Sequence, residues 1–193
     1  VNPAPVLWLC GPPCVGKSVV AWEIFTEVVR SGIAAAYVDL AQLGFRGPAA
    51  DDDPGNHRLK ARNLGALWPT FRAAGARRLV VSGQVADRDA VRAYTGALPG
   101  TALTLCRLRA GRDQLTERVL LRGQGGGPPI PGDALNGRSA DYLREFAEEA
   151  NREAEELERA GIGDLCVDTD GLSVGEVAHS VRVKADGWSF ETG

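Results

Sequence analysis

The tightest constraint on this chain lies near its start, where the apolar run VLWLC (residues 6–10) leads into Gly11-Pro12-Pro13-Cys14-Val15-Gly16-Lys17-Ser18 and a helical pattern begins at Lys17. Strand, glycine-bounded loop, Lys-Ser and helix in that order fit G-x-x-x-x-G-K-[ST] in the context the pattern requires. The physical content is an anion cradle. Gly11 opens a tight turn, and Gly16 lets the backbone come close. The amides of Cys14, Val15, Gly16, Lys17, Ser18 and Val19 then converge with the helix N-terminus on phosphate oxygens. Pro12 and Pro13 fall before the cradling amides, so their missing N–H groups cost nothing there. Lys17 is the cation for the β- and γ-phosphates, and Ser18 offers a hydroxyl to Mg²⁺.

The rest of the chain follows the alternation that such a unit starts. Further β-type runs occupy 34–39, 78–82, 101–108 and 164–168, and helical patterns occupy 17–30, 58–74, 87–95, 112–122, 139–160 and 174–184. Parallel strands need long crossovers, usually helical, so this alternation predicts an α/β three-layer sandwich: a five-stranded parallel sheet with helices on both faces. Ser31-Gly32 stops the first helix, Asp87 can cap the third, and Ser173 with Glu176 forms a capping box before the last. Pro69 predicts a kink or two shorter helices within 58–74. In 139–160, Leu143, Ala147, Ala150, Ala154 and Leu157 make one apolar face. Glu148 with Arg152 and Glu155 with Arg159 are i,i+4 pairs on the wet side.

Composition narrows the partner. The chain has 193 residues, 44% hydrophobic and 24% charged, with net charge −3. At this length roughly 70% of the unfolded surface can be buried without a disulfide or metal staple. One domain over 1–193 is expected. No window long enough to span a bilayer is free of charge, and a mildly acidic balance disfavours nucleic acid, so neither membrane nor nucleic acid is an expected partner. A small-molecule phosphate acceptor is expected, with a homodimer allowed. Cys10, Cys14, Cys106 and Cys166 lack C-x-x-C spacing, which argues against zinc, and the last two sit in apolar runs as buried hydrophobes. Cys14 faces no resolving partner at close spacing. A reduced, cytoplasmic setting is expected, and VNPAPVLWLCG has no basic n-region of a signal peptide. With no methionine, the start residue is expected to be missing or read from a non-standard codon.

Other nucleotide-binding classes leave marks that are not here. No N-K-x-D base-reading motif occurs, and Asp168-Thr-Asp-Gly171 lies at the far end rather than after the third strand. The third strand runs Leu79-Val-Val-Ser82-Gly-Gln84, without the terminal acid of a motor ATPase. The chain resembles the small P-loop kinases of the adenylate-kinase-like superfamily, among them gluconate kinase, adenylylsulfate kinase and chloramphenicol phosphotransferase. The resemblance rests on the loop at 11–18, on Asp39 ending the second strand, and on Arg112-Asp-Gln-Leu-Thr-Glu-Arg118-Val-Leu-Leu-Arg122 before a glycine-rich run. It implies ATP and Mg²⁺ as cofactors, Asp39 near the acceptor hydroxyl, and Arg118 and Arg122 over the phosphates. It also places Asp168-Thr169-Asp170-Gly171 against the adenine, with Asp170 as the nucleotide contact.

Chemistry leads to the same residues. Phosphoryl transfer needs positioning, neutralised phosphate charge and a carboxylate for the acceptor's proton. Asp39 stands at the carboxyl edge of the sheet, where open α/β sheets bind ligands; it can serve as base, as a Mg²⁺ contact through water, or simply as a cap. Arg118 and Arg122 share a helix face and reach one anion, or else pair with Glu117 or Asp113. Residues 123–138, with Gly125-Gly126-Gly127-Pro128-Pro129, read as a lid that keeps water from the transfer, and Arg138 can close with it. The acceptor pocket falls to 44–63. Arg46, Arg58 and Arg62 are candidates for an anionic substituent and Asn63 for a hydroxyl, or each is a surface side chain, with Gln84 and Asp87 at the far edge. His57 has no positioned partner, and Asp51 to Asp53 with Pro54-Gly55 read as a solvated turn. The expected activity is transfer of the γ-phosphate of ATP to a hydroxyl or similar group of a small polar molecule. The alternative is an ATP- or GTP-binding switch acting on a protein partner.

Overall fold

In a computed structural model, residues 2–126 and 133–189 are described. Five strands form one parallel sheet: β1 (Ala4–Cys10), β2 (Ala35–Asp39), β3 (Arg78–Ser82), β4 (Thr101–Arg109) and β5 (Leu165–Asp168), in the order β2-β3-β1-β4-β5. The helices are α1 (Lys17–Arg30), α2 (His57–Ala73), α3 (Arg88–Ala97), α4 (Arg112–Gly123), α5 (Ala140–Arg159) and α6 (Val174–Lys184). The expected α/β architecture is the observed one. No helix among the described residues is long and apolar enough to cross a membrane.

β1 is central because it is apolar on both sides and can be covered on both. Val6, Trp8 and Cys10 point into a core shared with Ala61, Leu64 and Trp68 of α2 and Tyr94 of α3. Leu7 and Leu9 point into the opposite core with Ile24 and Val28 of α1 and Val177 and Val181 of α6. Trp8 meets Tyr94 edge-on at 4.7 Å, and its indole N–H donates to the Gly83 carbonyl at 3.1 Å. In register, Trp8 stands between Val81 of β3 and Leu105 of β4. The carboxyl ends of β1, β2 and β3 therefore come out side by side.

End signals act as the sequence implies. Asp87 accepts from the Ala90 amide at 2.8 Å, and Ser173 and Glu176 cap α6 reciprocally. Of the two outcomes expected of Pro69, the split into shorter helices does not occur: α2 runs unbroken from His57 to Ala73. The proline is on the exposed side of a helix whose opposite face buries Ala61, Leu64 and Trp68, so packing holds the helix across the missing donor. On α5, Glu148 and Glu155 pair not with Arg152 and Arg159 but with Arg112 of α4, the second at 3.4 Å. The two helices pack together through Val119, Leu143 and Ala147, which brings the start of α4 within reach of those carboxylates.

Candidate active site

The loop between β1 and α1 is held open by two left-handed residues near its end, Cys14 (φ 61°) and Gly16 (φ 104°). At Gly16 the need is conformational, because an added Cβ would find nothing nearer than 3.8 Å. At Gly11 (φ 137°) it is also steric, since a Cβ would lie 2.5 Å from the Leu108 carbonyl oxygen of β4. Lys17 folds back over this loop and donates to the carbonyls of Gly11 (2.9 Å) and Pro12 (2.7 Å). Burial lowers its ammonium pKa, against the opposing pull of Glu153, Cys10, Cys14 and Asp39.

Ser18 and Asp39 meet: the Ser18 hydroxyl donates to Asp39 Oδ2 at 2.7 Å. Asp39 Oδ1 accepts from the Ala41 amide at 2.9 Å, capping a 3₁₀ turn over Leu40–Leu43. Asp39 thus caps the turn and bonds the loop's Ser18 at once. A hydroxyl beside a carboxylate is a donor set that suits a hard divalent cation, and Ser18 is exposed to receive one. Behind them, the Tyr37 hydroxyl lies 2.9 Å from Ser82 Oγ, and burial raises its pKa.

Arg118 and Arg122 of α4 both reach the loop, and protein atoms hold them there. Arg118 donates through Nη1 to Thr169 Oγ1 (2.8 Å) and the Val15 carbonyl (3.3 Å), and through Nη2 to the Thr169 carbonyl (3.0 Å). Neither Glu117 nor Asp113 takes it up; Glu117 accepts from Gln114 instead. Arg122 donates to Asp133 at 3.0 Å and lies against Cys14. The Cys14 thiol is pushed up by burial, against the pull of Arg122 and Lys17, so it is no activated nucleophile. Burial likewise lifts the thiol of Cys10 to about 12.

After β5, Asp170 accepts from the Gly111 amide at 2.8 Å and holds the N-terminus of α4, while Asp168 pairs with Arg109 at 3.3 Å. This stitches the loop expected against the adenine to the end of β4. A cavity of about 450 Å³, lined among others by Pro12, Arg107, Arg109, Arg112, Glu155 and Glu158, lies between the end of β4 and α5, behind the loop.

Arg58 is exposed and engaged by Asp52 (2.7 Å) and Asp53 (3.7 Å), Arg46 and Arg62 are exposed, and Asn63 is spent on the Leu43 carbonyl at 2.8 Å. Asp53 is no mere solvated turn; it accepts from the amides of His57 (2.7 Å) and Arg58 (3.1 Å) at the start of α2. His57 does have a partner, with Nδ1 3.2 Å from the Tyr94 hydroxyl, and burial lowers its pKa. The inward cation is Lys60, which lies over Gly44 and is drawn by Asp53 and Asp39 while burial lowers its pKa. The α2 face carrying Ala61 and Leu64 turns Lys60 toward the sheet edge and Arg58 and Arg62 away, a periodicity readable in the sequence.

Sequence reasoning also missed Glu153. Gln84, just past β3, donates to both its oxygens at 3.2 Å, and its half-buried carboxylate is the strongest attraction on Lys17. Of the lid expected over 123–138, residues 127–132, with Gly127, Pro128 and Pro129, lie outside the described residues. Its flanks are packed: Leu135 is buried beside Val119 and Leu143, and the Gly137 amide donates to the Gly123 carbonyl at 2.9 Å. Arg138 donates to the Ala134 carbonyl and stacks over Tyr142.

No family model and no curated protein sequence matches the chain. Solved structures do. The tunicamycin resistance protein of Deinococcus radiodurans superposes with TM-score 0.63 at 20% identity, over 94% of this chain and 95% of that one. A gluconokinase of Sinorhizobium meliloti gives 0.56 at 18% identity, over 93% and 90%. A shikimate kinase of Bacteroides thetaiotaomicron gives 0.55 at 15% identity, over 91% and 93%. Loop, sheet order and these likenesses agree: the chain has the fold of the small P-loop kinases.

Proposed function

We propose that this protein is an ATP-dependent phosphotransferase that moves the γ-phosphate to a hydroxyl or similar group of a small polar molecule. The observation that carries the reading is one cluster at the sheet's carboxyl edge: the 11–18 loop, half-buried Lys17, and Ser18 bonded to Asp39 at 2.7 Å. In this reading the loop amides and Lys17 hold the β- and γ-phosphates, with Lys17 exchanging its carbonyl partners for phosphate oxygens. Ser18 and Asp39 hold the magnesium side, Ser18 directly and Asp39 through water. Mg²⁺ supplies charge neutralisation of the transferred group. Arg118 and Arg122 keep the loop in shape and add positive potential beside it. Asp170 borders the base, and Lys60 with the 44–63 segment borders the acceptor.

The test is transfer from ATP with Mg²⁺ to gluconate, shikimate, tunicamycin and chloramphenicol, read as acceptor-stimulated ADP release and the mass gain of one phosphoryl group. Lys17→Ala is expected to abolish nucleotide binding. Asp39→Asn is expected to keep binding, lower turnover by about 10²-fold and raise the Mg²⁺ requirement, as losses around a metal do. Tight ATP binding with no acceptor effect anywhere in the panel would favour a switch acting on a protein partner.

A further inference from the structure

A transfer site of this kind needs a carboxylate for the acceptor's proton, and Asp39 is tied to the metal side by Ser18. Each of its oxygens already accepts a hydrogen bond, one from Ser18 on the metal side and one from its own turn. β3 brings no acid, ending in Ser82-Gly83-Gln84. Gln84 instead reaches across to α5 and fixes the carboxylate of Glu153 by both oxygens at 3.2 Å. Among the described residues Glu153 makes no ion pair, whereas the nearby Glu148, Glu155 and Glu158 are engaged by Arg112 and Arg107. It is half-buried, faces Lys17 and stands at the same sheet edge as Asp39.

Resting on the kinase reading, we propose that Glu153, aimed by Gln84, is the catalytic base of the transfer, and that Asp39 serves the metal. The acceptor's O–H proton passes to a Glu153 oxygen while the acceptor oxygen's electron pair forms the bond to the γ-phosphorus. The bond from that phosphorus to the β,γ-bridging oxygen breaks, and that oxygen leaves with the pair on ADP. The groups facing Glu153 are Lys17 from α1, Gln84 after β3, and Glu149 and Glu156 on its own helix. Burial and the two glutamates raise its pKa, while Lys17 and Gln84 lower it, with a net rise. That direction suits a base working near neutral pH.

The experiment compares the wild type with Glu153→Gln, Glu153→Asp and Gln84→Leu, using Mg-ATP with the four-compound panel and with water as acceptor. Glu153→Gln should lower kcat by about 10²-fold or more with KM for ATP within about threefold. It should also remove the acidic limb of the kcat profile. Glu153→Asp should restore that limb in part, and Gln84→Leu should move its midpoint upward, since the lost amide favoured the charged form. Without Mg²⁺, calorimetry should show Glu153→Gln binding ATP more tightly than the wild type and gaining less for ADP, because a negative charge facing the γ-phosphate is gone. Unchanged kcat and an unchanged acidic limb in Glu153→Gln overturn the assignment. A wild type that transfers to nothing, water included, overturns the kinase reading and this role with it; the wild type alone tells that failure from the first.

Discussion

A few side chains here carry two duties, and the second is the one a sequence hides. Asp39 was readable as a cap or a site group because a strand-end aspartate suits both; the structure shows both contacts at once. Glu153 was hidden among glutamates on a face that reads as solvated, because its meaning comes from Gln84, 69 positions away. Its raised pKa has a cost. Below the ordinary carboxylate range, about 4.3, Glu153 is protonated folded or unfolded and carries no penalty; as pH rises past that range the unfolded chain ionises first and the penalty enters, complete once pH exceeds the raised folded value. Glu153→Gln should therefore melt higher than the wild type at pH 7 and converge with it near pH 4. Each kcal/mol appears as about 2–4 °C at this chain length, and thermal melts at the two pH values check it.

At the scale of elements, what was legible was what repeats or punctuates. Strands at 78–82 and helices at 17–30 and 174–184 fall where apolar runs, Gly32 and the Ser173–Glu176 box put them. The Leu40–Leu43 turn was not legible, being one turn without a period. Nor was the pairing of α5 with Arg112, since which carboxylate meets which guanidinium depends on how α4 and α5 cross. Helix contacts also depend on what is missing. Gly65 lets α2 approach the end of α3 so closely that a Cβ would lie 2.8 Å from the Ala97 carbonyl oxygen. That neighbour is backbone and cannot swing aside. Gly65→Ala should cost about 1–3 kcal/mol in denaturant titration, despite the gain in helix propensity.

Over the whole molecule, the two cores lie on opposite faces of the sheet, and the candidate site is gathered at one edge where β1, β2 and β3 finish. Such a site contributes little to stability when it holds its own charges in poor solvent, as Lys17 and Glu153 do. A bound nucleotide should change that. At a concentration 100-fold above its dissociation constant, Mg-ATP should add about 2.7 kcal/mol and raise Tm visibly in the wild type, and not in Lys17→Ala, in parallel melts.

Arg118 draws together parts of the chain made far apart in time. Its guanidinium bonds the Val15 carbonyl, 103 positions earlier, and Thr169, 51 positions later. During synthesis the phosphate loop emerges among the first residues, yet the brace behind it cannot form until β5 and Thr169 have left the ribosome. A nascent chain halted before that point should carry the loop's sequence and most of the sheet and still grip nucleotide poorly, so that the first part of the site to be made is among the last to mature.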